Sequence, residues 1–139
     1  MRRHKGFTLI ELIVVIMILG ILATIAVPKF LKTSARAHDN ATRQSLAVVR
    51  NAIELYTADH NGELPGQAGA ELSLDLADYI RGNFPVSSPQ ASNVVAYEDA
   101  VTLTVGGPEG WRYSQQTGEF IVNSSAPLSS DNTITYDQL

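Results

Sequence analysis

The chain contains no cysteine among its 139 residues. No disulfide therefore staples it, and no thiol serves as nucleophile or metal ligand. The three histidines, His4, His38 and His60, are scattered and form no zinc spacing. No Gly-x-Ser-x-Gly elbow surrounds Ser87-Ser88 or Ser124-Ser125. The glycine-rich stretch Gly106-Gly107-Pro108-Glu109-Gly110 lacks the Gly-Lys-Ser/Thr of a phosphate loop. Two oxygen-rich stretches, Asp59–Glu63 and Ser129–Asn132 with Asp137, lack the glycine and distal glutamate of a calcium loop. They are expected to be turns and helix caps. These absences predict a protein that is not an enzyme, with no catalytic residue, no cofactor and no metal. No internal repeat and no long low-complexity linker is present.

Charge of one sign is also missing by region. Met1–Gly6 carries Arg2, Arg3 and Lys5 and no acid. Residues 29–50 carry Lys29, Lys32, Arg36, Arg43 and Arg50 against Asp39 alone. Residues 51–139 hold twelve acids against only Arg81 and Arg112. The acidic part speaks against a nucleic-acid partner. The basic segment suits anionic lipid headgroups, acidic faces of neighbouring subunits, or plain solvent.

What the chain does have is a long apolar run. Phe7–Val27 is interrupted only by Thr8, Glu11, Gly20 and Thr24. A bilayer-spanning helix needs about 20 mostly apolar residues, and this run is long enough. The small residues Ala23 and Ala26 are three apart rather than two, so ordinary signal-peptide cleavage fits poorly. The basic residues before the run place the leader in the cytoplasm and the C-terminal bulk outside, although Lys29 and Lys32 oppose this. Glu11 is a carboxylate at membrane depth, which is costly and marks it as functional.

The segment Lys5-Gly6-Phe7-Thr8-Leu9-Ile10-Glu11-Leu12 resembles the class III signal of type IV pilins and type II secretion pseudopilins. The resemblance implies cleavage between Gly6 and Phe7 by a prepilin peptidase, followed by N-methylation of Phe7. It also implies that Glu11 meets the N-terminal amine of an adjacent subunit during assembly. Glycine before the cut offers no side chain to obstruct a protease at the membrane edge. Phe7 and Glu11 are four apart, on one face of a helix. Pairing a carboxylate with an amine lowers the cost of keeping both in an apolar bundle. Pro28 removes a backbone donor, so a kink near Thr24–Pro28 is expected. Gly20 allows a close neighbour or is simply tolerated.

Beyond Pro28 the helix is expected to continue to about Asn61. Ala35, Thr42, Leu46, Val49, Ile53 and Tyr56 form its apolar stripe. Asn61-Gly62 is read as its C-cap. Glu71–Ile80 reads as a short helix, Phe84–Ser92 as turns and Val101–Val105 as a strand. Trp111–Tyr113 and Phe120–Asn123 read as a hairpin around Gln116-Thr117-Gly118, and Ile134–Tyr136 as a last short strand. The hairpin is similar to those in pilin and pseudopilin heads.

The expected fold is therefore α+β. A long N-terminal helix, transmembrane in its first half and kinked near Pro28, packs by its second half on a small antiparallel β-sheet head. The expected divisions are a leader (1–6), a transmembrane and filament-core helix (7–27), an amphipathic half (28–62) and a head (63–139). The resemblance implies a bacterial prepilin-like subunit, held single-pass in the inner membrane with its N-terminus cytoplasmic until cleavage. It then polymerises into a periplasmic pseudopilus or a cell-surface pilus, serving secretion, adhesion, motility or DNA uptake. Its implied partners are the prepilin peptidase/methyltransferase, other copies or minor pilins, and an inner-membrane assembly platform. The rival from another class is a membrane-anchored ligand-binding module that does not polymerise.

Overall fold

The computed structural model describes residues 7–67 and 69–139. Gly6 and the rest of the expected leader lie outside the described residues. The fold is α+β, and the chain divides into two compact units, Met1–Ala35 and Arg36–Leu139. Helix α1 (Leu9–Asp59) belongs to both and runs through Pro28.

In the first unit, helix α1 buries nothing. Its apolar side chains are exposed on every side, from Leu12 and Ile13 to Ile25 and Val27. The helix is long and apolar enough to cross a membrane. A helix apolar all round needs lipid or other chains to cover it.

In the second unit the same helix is amphipathic. Asp39, Thr42, Leu46, Val49, Ala52 and Ile53 are buried at helical spacing. The helix ends at Asp59, slightly before the expected Asn61. Asn61 takes a left-handed φ of 55°, and the Gly62 amide donates to the Thr57 carbonyl at 2.8 Å. This is a Schellman stop with asparagine in the left-handed position.

Facing the stripe are helix α2 (Leu72–Asp75) and a three-stranded sheet of β1 (Val95–Glu98), β2 (Trp111–Ser114) and β3 (Phe120–Val122). Helix α2 is much shorter than the expected 71–80, because turns take over after Asp75. Leu72, Leu76 and Ile80 still reach the core from this segment.

The sheet order is β1-β2-β3, and it is mixed rather than antiparallel. The β2–β3 hairpin is antiparallel as expected, with Trp111 opposite Val122 and Tyr113 opposite Phe120. Strand β1, however, runs parallel to β2, with Val95 opposite Trp111. Parallel neighbours need a long crossover, and Asp99–Gly110 supplies it. Val101–Val105, expected as a strand, lies within that crossover. Its alternating pattern pairs with neither outer edge of the sheet, and the segment is irregular. The last expected strand, Ile134–Tyr136, reduces to one bridge between Pro127 and Thr135, followed by a 3₁₀ turn at Tyr136–Gln138.

The core of this unit centres on Trp111, Tyr113 and Phe120, all buried. The rings of Trp111 and Phe120 stack at 5.1 Å, and Phe84 meets Phe120 edge-on at 6.3 Å. The polar tips are satisfied. Trp111 Nε1 donates to the Pro85 carbonyl at 2.9 Å, and the Tyr113 hydroxyl to the Pro65 carbonyl at 2.9 Å. Gly110 is required where β2 begins. A Cβ there would sit 2.0 Å from the Ser92 carbonyl oxygen.

Candidate assembly site at the N-terminal helix

Thr8-Leu9-Ile10-Glu11 forms a capping box at the start of α1. Thr8 precedes the first helical residue, Leu9, and Glu11 is the third. The Glu11 Oε2 accepts from the Thr8 amide at 2.8 Å and from its hydroxyl at 2.8 Å. The Glu11 amide in turn donates to Thr8 Oγ1 at 3.3 Å. Two backbone donors at the helix start are thereby satisfied reciprocally. The negative carboxylate also sits at the positive end of the helix dipole. A carboxylate has about four acceptor positions, so these two bonds leave it able to accept from another donor.

The remaining expected site residues are placed as follows. Phe7 is 74% exposed beside this cap, so its ring and backbone are accessible. Gly6 lies outside the described residues. Pro28 sits inside α1, where it cannot donate to the Thr24 carbonyl. The Thr24 hydroxyl adds a local bond at this point, donating to the Ile21 carbonyl at 2.7 Å. The capping role of Thr8 was not read from the sequence, although its signature, Thr followed three residues later by Glu, is there.

Two polar centres in the second unit also went unread. The first is Asp39, 1% exposed at the start of the buried stripe. Its Oδ2 accepts from the Ser130 amide at 2.7 Å and its Oδ1 from the Tyr136 hydroxyl at 2.5 Å. Asp39 thus ties α1 to the C-terminal segment that has no disulfide to close it. Burial pushes its carboxyl pKa upward, but the bonds from Ser130 and Tyr136 outweigh this and hold it below the usual aspartate range. Arg50 makes a second tie, donating to the Phe120 carbonyl at 3.0 Å and the Leu139 carbonyl at 2.9 Å.

The second centre is Asn123, 2% exposed. Its Oδ1 accepts from the Gly106 amide at 2.7 Å and from Arg112 Nε at 3.0 Å. Its Nδ2 donates to the carbonyls of Gly106 and Glu109, both at 2.8 Å. Arg112 completes the cluster with an ion pair to Glu98 and a bond to the Gly106 carbonyl at 2.5 Å. The crossover is held by these bonds in place of a strand ladder.

The oxygen-rich stretches act as caps and turns. Asp131 accepts from the Thr133 amide at 3.0 Å, and Asp59 accepts from the Tyr79 hydroxyl at 3.0 Å. Among the described residues no group of three or more His, Cys, Asp or Glu is arranged to hold a metal ion.

Comparison with known proteins agrees with this layout. A family profile, the Prokaryotic N-terminal methylation motif, matches residues 1–27. The chain is 42% identical over 133 residues to the type IV wide pilus major component PilA4 of Thermus thermophilus. That match covers 93% of this chain and 98% of PilA4. It is 40% identical over 60 residues to the type II secretion system core protein G of Aeromonas hydrophila, covering 43% of this chain and 42% of that protein. It is 30% identical over 91 residues to the ComG operon protein 3 homolog of Bacillus licheniformis, covering 66% of this chain and 90% of that protein. No solved structure matches the chain.

The chain belongs to the family of type IV pilins and type II secretion pseudopilins. Members of this family are structural subunits of filaments rather than enzymes, and the exposed apolar helix of this chain fits the membrane anchor they share.

Proposed function

We propose that this chain is the polymerising subunit of a type IV pilus. A prepilin peptidase removes Met1–Gly6 at the cytoplasmic face, and Phe7 becomes the methylated N-terminus. Phe7–Val27 holds the subunit in the inner membrane until an assembly platform lifts it into the filament. There Glu11 turns from its bonds with Thr8 to the amine of a neighbouring Phe7. Pro28 is the point at which the helix bends or loosens to fit.

The observation that carries the pilus reading is the similarity to PilA4 along nearly the whole length of both chains. The likeness to core protein G covers between 43% and 66% of this chain, against 93% for PilA4. That likeness still favours a second reading, a subunit of a secretion pseudopilus, because it includes the assembly helix. Deleting the chain's gene separates the two. A pilus subunit leaves cells without surface filaments and with secretion intact. A pseudopilus subunit leaves secreted proteins in the periplasm and surface filaments unchanged. Replacing Glu11 with alanine separates both from a non-polymerising binding module. Filament assembly undiminished by Glu11→Ala would remove the assembly role.

A further inference from the structure

Charge in the second unit is separated along α1. Its bases are Arg36, Arg43, Arg50, Arg81 and Arg112, with no lysine. Arg50 is bonded to the Phe120 and Leu139 carbonyls, and Arg112 is paired with Glu98. Arg36 and Arg43 are exposed and one heptad apart, so they share a face of α1 to within about 20°. Neither makes an ion pair among the described residues. Asp131 is held below the usual aspartate range first by the Thr133 hydroxyl and amide, with Arg43 adding to this from beyond ion-pair distance. At the other end of α1 is an open pocket of about 530 Å³, with Tyr56, Glu63, Leu64 and Asp75 among its lining residues. Asp75 Oδ2 accepts from the Gly66 amide at 2.7 Å, which fixes the carboxylate in place. The exposed Glu63 carboxylate makes no ion pair among the described residues. Burial first, and then the charges of Asp75 and Glu63, push the Tyr56 hydroxyl pKa up, so both acids face that hydroxyl.

We propose that the Arg43 guanidinium of one copy enters the pocket at Tyr56, Glu63 and Asp75 of the next copy. The proposal rests on the filament reading above and names one contact between the second units. The pocket's chemistry selects a guanidinium. Two carboxylates and a hydroxyl accept its fork of N–H donors, and Leu64 packs against its aliphatic stem. The same acids repel an anionic lipid headgroup. Among the described residues no third His, Cys, Asp or Glu joins them to hold a metal ion. A copy cannot fill its own pocket with Arg43. Arg43 and Tyr56 are thirteen positions apart on α1, about 20 Å along its axis and about 140° around it. Arg43 is chosen over Arg36 because it sits beside buried Thr42, in the part of α1 packed on the head, whereas Arg36 precedes the first buried residue, Asp39. Arginine and pocket are therefore held at one fixed offset within the same unit. Two different patches that fit each other repeat from copy to copy, which is the head-to-tail contact a filament needs.

Charge reversal tests the contact in the full chain. Both Arg43 and Glu63 are exposed, so their substitution is compatible with folding. Arg43→Glu is expected to cut filament yield roughly tenfold while the chain persists in the membrane, and adding Glu63→Arg is expected to restore most of it. Filaments at the parent's yield from Arg43→Glu overturn the proposal, and so does a double variant no better than the single one. The absence of native cysteine allows a second, direct readout. Arg43→Cys and Glu63→Cys are introduced singly and together, and filaments isolated from cells are oxidised. The double variant is expected to give a ladder of disulfide-linked copies that neither single variant gives. Filaments of the double variant without a ladder overturn the proposal. A ladder of equal yield from Arg81→Cys with Glu63→Cys would give the pocket to the other exposed arginine and overturn it too. A parent chain that makes no filaments defeats the underlying filament reading, which is a different result.

Discussion

The Asp39 carboxylate accepts the Tyr136 hydroxyl at 2.5 Å, joining α1 to the C-terminal segment 97 positions away. Nothing covalent holds that segment, so this bond, the one from the Ser130 amide and the Arg50 tie to Leu139 hold it to α1. Removing Asp39 strands the buried Tyr136 hydroxyl and takes the acceptor from the Ser130 amide. Asp39→Ala should therefore cost about 2–3 kcal/mol, the range for losing hydrogen bonds to a charged group. Trp111 is the single tryptophan and is fully buried, so its fluorescence reports the melt of the detergent-solubilised chain.

The same pair fixes a pH dependence. The folded-state pKa of Asp39 lies below the ordinary aspartate value. Its contribution is thus complete above the unfolded pKa, about 3.9, and is lost as pH falls through the lower folded value. Stability of the wild-type head should decline below about pH 4. Asp39→Asn should be less stable at neutral pH and flatter across that acid range. A parallel pair of pH profiles would show that Asp39 plays no part in the acid response.

Asn123 makes four hydrogen bonds and substitutes for a strand ladder in the crossover. Asn123→Ala should destabilise the head by about 4 kcal/mol, given about 1 kcal/mol for each of the four bonds. Before global unfolding, amide hydrogen exchange should quicken first at Gly106, whose amide Asn123 holds directly. Unchanged exchange at Gly106 would assign the crossover's order to other contacts.

The aromatic centre sets the largest single cost. Trp111→Ala removes a fully buried ring that stacks on Phe120 and donates to Pro85. A loss of about 3–5 kcal/mol is expected. Such a loss is a large share of the stability of a small domain. Circular dichroism melts would register it as a fall in the midpoint, with the helical signal of residues 9–35 retained in detergent.

These positions show where the sequence was readable. The apolar run Phe7–Val27 and the hairpin Trp111–Val122 are patterns set by neighbouring residues, and both appear in the structure. The stop at Asn61-Gly62 was readable for the same reason. Strand β1 was missed because its partner lies beyond a twelve-residue crossover, Asp99–Gly110, and parallel pairing leaves no turn signature. Val101–Val105 had the alternation of a strand but lies in the crossover, which side-chain bonds from Asn123, Arg112 and Glu98 hold instead of a ladder. Asp39 fell at the right spacing between Ala35 and Thr42, yet a carboxylate in an apolar stripe reads as solvent-facing until its partners, Ser130 and Tyr136, are placed. Thr8 was readable as a cap from Thr-x-x-Glu, but the membrane setting drew the reading of Glu11 toward assembly alone.

The cap makes its own prediction. Thr8→Val keeps the shape and removes the hydroxyl that bonds both ways with Glu11. Losing a Thr cap costs about 1 kcal/mol of helix stability, and exchange at the amides of Leu9–Glu11 should rise several-fold in detergent micelles. Equal protection in Thr8→Val and the parent would mean that the box does not hold the helix start.

The central claim is that this chain is processed and built into a filament through its N-terminal helix. The most direct measurement is the intact mass and N-terminal fragment spectrum of the chain recovered from isolated filaments. The account predicts a chain lacking Met1–Gly6 and beginning at Phe7 with one added methyl group. A chain in filaments that retains the leader, or one that begins after Ala26, would contradict it.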